Sequence, residues 1–428
     1  MSKFYFGQAQ AIITPPIGTE LVGYPERDHG CEGVHDDLFA KAWVFSDGNE
    51  YATLAFLDLT GVDLEITHKV REIVAANTPI KPHAVHLNFT HTHSGPACLP
   101  GARNPIERMY STDDPELNAV MVRFISGAII SAFRSLRKGR IGFGRGELHG
   151  LATNRRDPGD PMDNDVGVFR LEEEDGRLAG VIVKYSCHPT VLNEENYLVS
   201  RDYPGFMCDA LQAAKGGGIQ VAFAQGTGAD ASTRFTRRSK TFKEAERLGH
   251  MLAGVALSVL ERIETSDEIL IQCQNGEVEL PTRQLPAPDK AEKMLAEAAR
   301  NLESLKKTGA PEAQVRSAYV AELGAKVQAQ MAQMGIPGVL KAEVGLLSLG
   351  KWKIALLPGE MMALTGKKLQ EALGEGSVVF GYTNSSHGYF LPAEQEAKGG
   401  YETGVSLVTS QGEAILREAV LRLSERQS

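Results

Sequence analysis

Apolar residues follow two alternating rhythms along this chain. Over residues 36 to 62, a β-rich run around Ala42-Trp43-Val44-Phe45 and a second, Ala52-Thr53-Leu54-Ala55-Phe56-Leu57-Asp58, flank the turn Ser46-Asp47-Gly48-Asn49, which predicts a β-hairpin. The period then changes. From Leu64 to Ala76, Ile66, Val70 and Ile73/Val74 recur at helical steps, and Pro79 and Pro82 break the pattern before the strand-like Ala84-Val85-His86-Leu87-Asn88-Phe89. The alternation continues with helices expected at Leu117 to Leu136, Tyr203 to Ala214 and Phe242 to Ile263, and strands at Gly180 to Cys187 and Gln220 to Ala224. This rhythm predicts an α/β or layered α+β body, a mixed β-sheet with flanking helices.

Residues 289 to 334 break the rhythm. Leu295, Leu302 and Leu305, then Val315, Tyr319, Leu323, Val327 and Met331, repeat at helical steps on either side of Gly309-Ala310-Pro311, which predicts an αα-hairpin. The first reading is a surface insertion packed on the sheet, and the alternative is a lid over a substrate site. Strands return at Ala342 to Leu349 and Trp352 to Leu357, and Ser406 to Leu423 predicts a last helix. With no repeat and no long linker, residues 1–428 read as a single domain carrying the hairpin as an insertion.

Composition narrows the class. Of 428 residues, 42% are apolar and 23% charged, as in a soluble globular protein, so a sizeable core is expected. Fifty-four acidic against forty-five basic side chains give a net charge of −9, which argues against nucleic acid and anionic lipid as partners. The five cysteines, Cys31, Cys98, Cys187, Cys208 and Cys273, are odd in number and lack CxxC spacing, so neither a disulfide framework nor a thiolate zinc site is indicated. No uncharged apolar run approaches the roughly 18 residues of a membrane span, and no signal-like segment opens the chain. The expectation is a cytoplasmic protein acting on a small molecule, its oligomeric state open.

Candidate chemistry gathers where strands end. In Asn88-Phe89-Thr90-His91-Thr92-His93-Ser94-Gly95-Pro96 an apolar strand runs into two histidines one residue apart, and extended backbone would turn both imidazoles to one face. Metal ligation and ordinary hydrogen-bonded loop histidines both fit this pair. The run Gly180-Val181-Ile182-Val183-Lys184-Tyr185-Ser186-Cys187-His188-Pro189-Thr190 repeats the device, and Lys353 to Pro358 leads through Gly359 to Glu360. Two imidazoles and a carboxylate suit a catalytic zinc, although an acid after a turn is more often simply solvated. A glycine-rich turn, Gly226-Thr227-Gly228-Ala229-Asp230-Ala231-Ser232, follows a strand but lacks a phosphate-loop lysine, and GxSxG, HExxH and GxGxxG patterns are absent from the chain.

Taken in order, these segments resemble the neutral/alkaline non-lysosomal ceramidase family, specifically its N-terminal catalytic domain. Ala11 to Gly18, Gly23-Tyr24 and Gly33 to Ala42 look like the family's opening. Thr90 to Pro96, Asn154-Arg155-Arg156, Cys187-His188-Pro189-Thr190, Pro358-Gly359-Glu360 and Gly399-Gly400-Tyr401-Glu402 follow in the family's order. The resemblance implies a Zn2+ ion held by His91, His188, Glu360 and Tyr389. It also implies a catalytic set of His93, Arg155 and Tyr401, with Tyr401 at the family's twelve-residue step from Tyr389. Ser232 aligns with a family serine, in a turn one residue longer. Compared with ceramidases proper, the chain is expected to lack a C-terminal immunoglobulin-like domain and a secretion signal, and His387 beside Tyr389 is not a family feature.

The implied reaction is hydrolysis of the amide of an N-acyl sphingoid (a sphingolipid) or another N-acylated small molecule, by water whose pKa the ion lowers from about 15.7 to about 7. His93 would move the proton, Arg155 and Tyr401 would bind the oxyanion, and Ser232 would orient water or substrate. Hydrolysis of an ester, lactone or glycosidic bond, or a non-catalytic binding role, are the alternatives. Polar and small residues around the motifs, among them Asn154, Arg156, Asn193, Glu194, Arg234, Asn384, Ser385 and His387, favour a compact polar substrate over a long-chain lipid. The other source of apolar walls would be the helical hairpin.

Overall fold

The computed structural model describes residues 3–99 and 114–427. Its body is a pair of stacked β-sheets with helices on both outer faces. The larger sheet has eight strands and begins with the predicted hairpin, Phe39–Ser46 antiparallel to Tyr51–Leu57. Val85–Phe89 then adds parallel to Tyr51–Leu57 at one edge, and Gln220–Gln225 adds parallel to Leu178–Tyr185 at the other. The smaller sheet has four strands: Ile271–Pro281, Val339–Leu349 and Trp352–Leu356 run antiparallel, and Ser377–Phe380 closes it parallel to Trp352–Leu356.

Period-two alternation explains the layering. One face of the large sheet sends Phe6, Trp43, Phe45, Leu54, Phe56, Phe169 and Ile182 against Leu347, Ile354, Leu356 and Phe380 of the small sheet, an apolar layer between the two. The opposite face, with Val44, Leu57, Leu87, Val168, Val183 and Phe223, is covered by helices. Leu64–Asn77 and Pro115–Arg134 cover one half, Asp202–Ala214 and Phe242–Leu260 the other. Ala363–Leu373 and Ser410–Gln427 pack on the outer face of the small sheet around Val344, Leu346, Ala355 and Val379.

Three strands departed from the hydrophobic pattern. Asp165–Glu173, Arg137–Glu147 and Tyr5–Ile12 lie side by side in that order in the large sheet, although Arg137–Glu147 is mostly glycine and charge, with Ile141 and Phe143 its only apolar side chains. The glycines are there because the helix Phe242–Leu260 and its exit segment lie directly on the strand. A Cβ at Gly142 would fall 2.3 Å from the Glu264 carbonyl oxygen, and one at Gly144 2.8 Å from Ile263. Close backbone approach thus replaces an apolar side chain as the packing device.

Pro115–Arg134 is a helix long and apolar enough to cross a membrane, with a mean hydropathy of 1.4. Here Leu117, Met121, Ile125, Ile129 and Ala132 are buried on the large sheet and the neighbouring helix. The hairpin segment forms two helices, Pro288–Lys307 and Glu312–Met334, which pack on each other, and the second packs against the short helix Tyr401–Val405.

Candidate metal centre and its cleft

The C-terminal ends of Val85–Phe89, Leu178–Tyr185 and Trp352–Leu356, from both sheets, meet at one point. Two buried amides tie them together. Gln225 Nε2 donates to the carbonyls of Thr90 and Cys187, both at 3.0 Å, which are the residues preceding His91 and His188. Asn88 Nδ2 donates to Gly381 O at 2.7 Å, and Asn88 Oδ1 accepts from Gln225 N at 3.0 Å.

Three of the four expected ligands converge directly. Glu360 Oε2 lies 3.1 Å from His188 Nε2 and 3.6 Å from His91 Nε2. The other ring nitrogen of each histidine is committed as a donor: His91 Nδ1 to Thr60 O at 2.6 Å and His188 Nδ1 to Gly228 O at 2.7 Å. Both Nε2 atoms are therefore lone-pair acceptors facing a carboxylate, and His188 Nε2 is buried without a hydrogen-bond donor. Acceptors packed this way repel unless a cation sits between them, and a carbonyl on the far nitrogen is the usual support of a metal-binding imidazole. Protonation agrees. Burial pushes His91 down to about 4 and lowers His188 as well, while for Glu360 the opposing effect of burial is outweighed by His91, His188 and Arg155, leaving it at about 2. The donor set fits a divalent metal.

Tyr389 joins the group through the sheet. Tyr389–Phe390 pairs parallel with Glu360–Met361, so that Tyr389 sits directly opposite Glu360. Arg155 Nη2 donates to Tyr389 Oη at 3.0 Å. Burial and the Glu360 carboxylate hold the Tyr389 phenol well above its ordinary range, and Arg155 works against them.

His93 is placed beside the ligands, with Nε2 3.3 Å from His91 Nε2, and the ligand nitrogens of His91, His93 and His188 all lie within 4.8 Å of one another. The route to this convergence differs from the expected one. The strand ends at Phe89, and His91 takes a left-handed backbone with φ of 64°, so the pair shares a point through a turn and not through extended geometry. His93 also differs from the other two in that its Nδ1 is buried without a partner. Burial and the two neighbouring imidazoles keep its pKa well below the ordinary value.

The remaining predicted residues line the same cleft. Ser232 lies one β-bridge from His188, and its Oγ accepts from Arg234 N at 3.1 Å. Tyr401 packs edge-on to Tyr389, their ring centroids 6.1 Å apart. Arg155 is anchored by Nε to Glu402 Oε1 at 2.9 Å, and its backbone N–H donates to Asp230 O at 2.7 Å.

Three contributors carried no usable signal in the chain's pattern. Glu402, whose two oxygens bind Arg155 and Arg156, sat in the Gly399–Glu402 run without an assigned role. Gln225 ends a strand like any polar residue. Tyr382 reaches its place through a left-handed turn with φ of 48°; its ring lies 4.7 Å from that of His91 and its hydroxyl 3.4 Å from Glu360 Oε2.

The cleft above the centre holds about 1580 Å³. Arg156, Asn193, Glu194, Arg234 and His387 line it as expected, whereas Asn154, Asn384 and Ser385 are buried behind it; Asn154 binds Asp230 and Asn384 binds Glu343. The hairpin contributes Met294, Val320 and Leu323 to the wall of the cleft, so apolar side chains reach the cleft from the hairpin.

Comparison with known proteins places this architecture. A crystal structure of neutral ceramidase from Pseudomonas aeruginosa superposes over all of this chain and 75% of its own with a TM-score of 0.77 at 21% identity, which establishes the fold. A ceramidase complexed with C2 gives the same TM-score at 20% identity and 76% coverage of that chain. By sequence, the chain is 27% identical to the Pseudomonas aeruginosa neutral ceramidase over 240 residues, 52% of this chain and 36% of that protein. It is also 27% identical to neutral ceramidase A of Dictyostelium discoideum over 231 residues, 48% of this chain and 31% of that one. The matches thus span about a third of these relatives' length. The family model for neutral/alkaline non-lysosomal ceramidase, N-terminal, matches residues 4–236. The chain belongs to that family.

Proposed function

We propose that the chain is a zinc-dependent hydrolase that cleaves the amide bond of an N-acylated small molecule. The observation that carries this reading is the meeting of two imidazole Nε2 atoms, each with its Nδ1 turned to a backbone carbonyl, with one carboxylate at the floor of a cleft. Two nitrogens, a carboxylate and a phenol oxygen suit zinc. Zinc bound there supplies Lewis acidity toward a carbonyl oxygen and water that ionises near pH 7.

The chain's own residues do the rest. His93, neutral at physiological pH, takes a proton on Nε2 and delivers it to the leaving nitrogen, a role worth roughly 10²- to 10⁴-fold in rate. Arg155, with Nε on Glu402 and Nη2 on Tyr389, keeps Nη1 for the oxygen on which charge develops, and Tyr401 adds a second donor. A single such donor contributes about 3–4 kcal/mol. Ser232, beside His188, orients water or substrate.

The amide class rests on the family membership, and a substrate panel tests it. Zinc-loaded protein is given matched N-acyl amides and esters and the released acid is measured. Amide cleavage that chelator abolishes, zinc restores and His188→Ala eliminates is the expected result. Cleavage of esters alone moves the activity to another bond, and no turnover by loaded protein supports a binding role.

A further inference from the structure

Eight cationic side chains line the cleft against five carboxylates, in a chain whose net charge is −9. The carboxylates are mostly spoken for. Glu360 belongs to the metal cluster, Glu402 is shared by Arg155 and Arg156, Glu26 accepts from Tyr319, and Glu194 lies 4.0 Å from Lys240. Glu297 is on the exposed hairpin wall.

Arg234 is the exception among the cleft cations that are not exposed. Arg237 binds the carbonyls of Thr190 and Val191, but the guanidinium of Arg234 has no hydrogen-bond or ion-pair partner among the described residues. Burial and the charges of Arg155, Arg316 and Arg237 push its pKa down to about 10, against one opposing carboxylate, Glu402. Arg316 faces the same space from the hairpin helix Glu312–Met334, stacked on Tyr319 at 5.2 Å. A largely buried guanidinium without a counter-ion is unfavourable in the free protein, and its planar fork matches a carboxylate or phosphate bidentately.

We propose that this cleft selects substrates bearing a small oxyanion, a carboxylate or a phosphate, held by Arg234 and assisted by Arg316. Arg234 is two residues from Ser232, whose Oγ accepts from the Arg234 backbone at 3.1 Å, so the anion binds at the reacting end of the cleft. The substrate class is therefore an N-acylated compound whose charged group lies a few bonds from the scissile amide. The proposal rests on the hydrolase reading for the bond cleaved, and on the arginines alone for the charge.

The test is calorimetric binding to metal-free and zinc-loaded protein of two matched pairs: N-acetylglycine with N-acetylglycinamide, and N-acetylethanolamine phosphate with N-acetylethanolamine. At least one anion should bind tenfold or more tightly than its neutral partner, with and without zinc, and the pair showing it identifies the anion. Arg234→Gln should erase the preference, Arg234→Lys should keep part of it, and Arg316→Gln should weaken it several-fold. Equal binding of both members of each pair by the native protein overturns the proposal, even if a variant folds poorly. A preference that appears only with zinc or survives Arg234→Gln overturns it too, since the metal would then hold the anion. Arg234-dependent anion binding without cleavage of any panel amide leaves this proposal standing and removes the hydrolase reading; faster cleavage of the neutral partners does the reverse.

Discussion

Replacing Glu402 by glutamine tests whether the cationic side of the site depends on one buried acid. Its carboxylate is 6% exposed and receives Arg155 Nε at 2.9 Å and Arg156 Nη1 at 2.7 Å; both arginines are nearly as buried. Glu402→Gln keeps the volume and removes the charge, leaving two guanidiniums in low dielectric beside the already unpaired Arg234. Deleting one partner of a buried pair costs about 3–5 kcal/mol, more than the pair itself contributes, because the remaining charge is stranded. Unfolding entropy of about 2.1 cal/mol/K per residue gives about 0.9 kcal/mol/K over 428 residues, so the expected fall in Tm is about 3–6 °C. Differential scanning calorimetry at pH 7 measures it. Because the pair is buried, 0.5 M NaCl should leave the difference unchanged, whereas a solvent-screened pair would lose it. Adding Arg156→Gln to Glu402→Gln should recover part of the loss, as one stranded charge is removed. A fall below about 1 °C, or one that salt abolishes, refutes the reasoning.

The two histidines of the pair should separate in function: His91→Ala loses zinc and turnover together, while His93→Ala retains zinc, measured by metal analysis, and loses turnover. A metal-free His93→Ala protein would make His93 a ligand. Zinc affinity should resist acid, because protons compete only where the ligands can bind them. With His91 lowered to about 4, His188 lowered as well and Glu360 at about 2, chelator-competition titrations should show no steep loss of affinity beginning at the ordinary imidazole value. A steep loss beginning at pH 6.5, the ordinary imidazole value, would show that burial does not set these pKa values. Gln225→Leu removes the donor shared by the carbonyls before His91 and His188, and should weaken zinc binding by about 10- to 100-fold and lower Tm by a few degrees, since two buried carbonyls lose their donor. Unchanged affinity would mean that the strands alone fix the ligands.

What could be read from the chain follows from how each element is stabilised. Leu64–Asn77 and Phe242–Leu260 announce themselves because each buries a single apolar stripe, and Phe39–Ser46 and Tyr51–Leu57 do so through a tight turn between apolar runs. Arg137–Glu147 stayed hidden because its packing device is the absence of side chains, which a hydrophobicity pattern reads as loop. The division into two sheets was equally invisible: strands buried on both faces, such as Trp352–Leu356, look alike whichever sheet they join. At the site, His91, His188 and Glu360 stood out because a polar residue after a buried strand breaks a pattern. Tyr382 breaks none, and Gln225, though polar at the end of a buried strand, carries no chemistry that marks it out; their roles exist only when segments distant in sequence are brought together.

The left-handed turn at His91 explains why the pair can divide its labour. A straight strand would present both rings to the same face with equivalent surroundings. With φ of 64° at His91, the turn aims its Nδ1 at the Thr60 carbonyl, fixing the tautomer and leaving Nε2 for the cation. His93 comes out of the turn with its backbone carbonyl accepting from Arg27 Nη1 at 2.7 Å and its ring against Tyr24 at 5.1 Å, but with no acceptor for Nδ1. One imidazole is tied to a backbone carbonyl through Nδ1; the other has no partner at Nδ1 and meets only the neighbouring ring through Nε2, so no backbone acceptor fixes its tautomer. Left-handed geometry at a non-glycine residue costs of order 1–3 kcal/mol. Here it is offset by Gln225, which anchors the residue on one side, and by Thr60, whose hydroxyl donates to Thr92 O at 2.6 Å on the other. The strain and its anchors therefore belong to the same device, and weakening the anchors should blur the distinction between ligand and base before it unfolds the sheet.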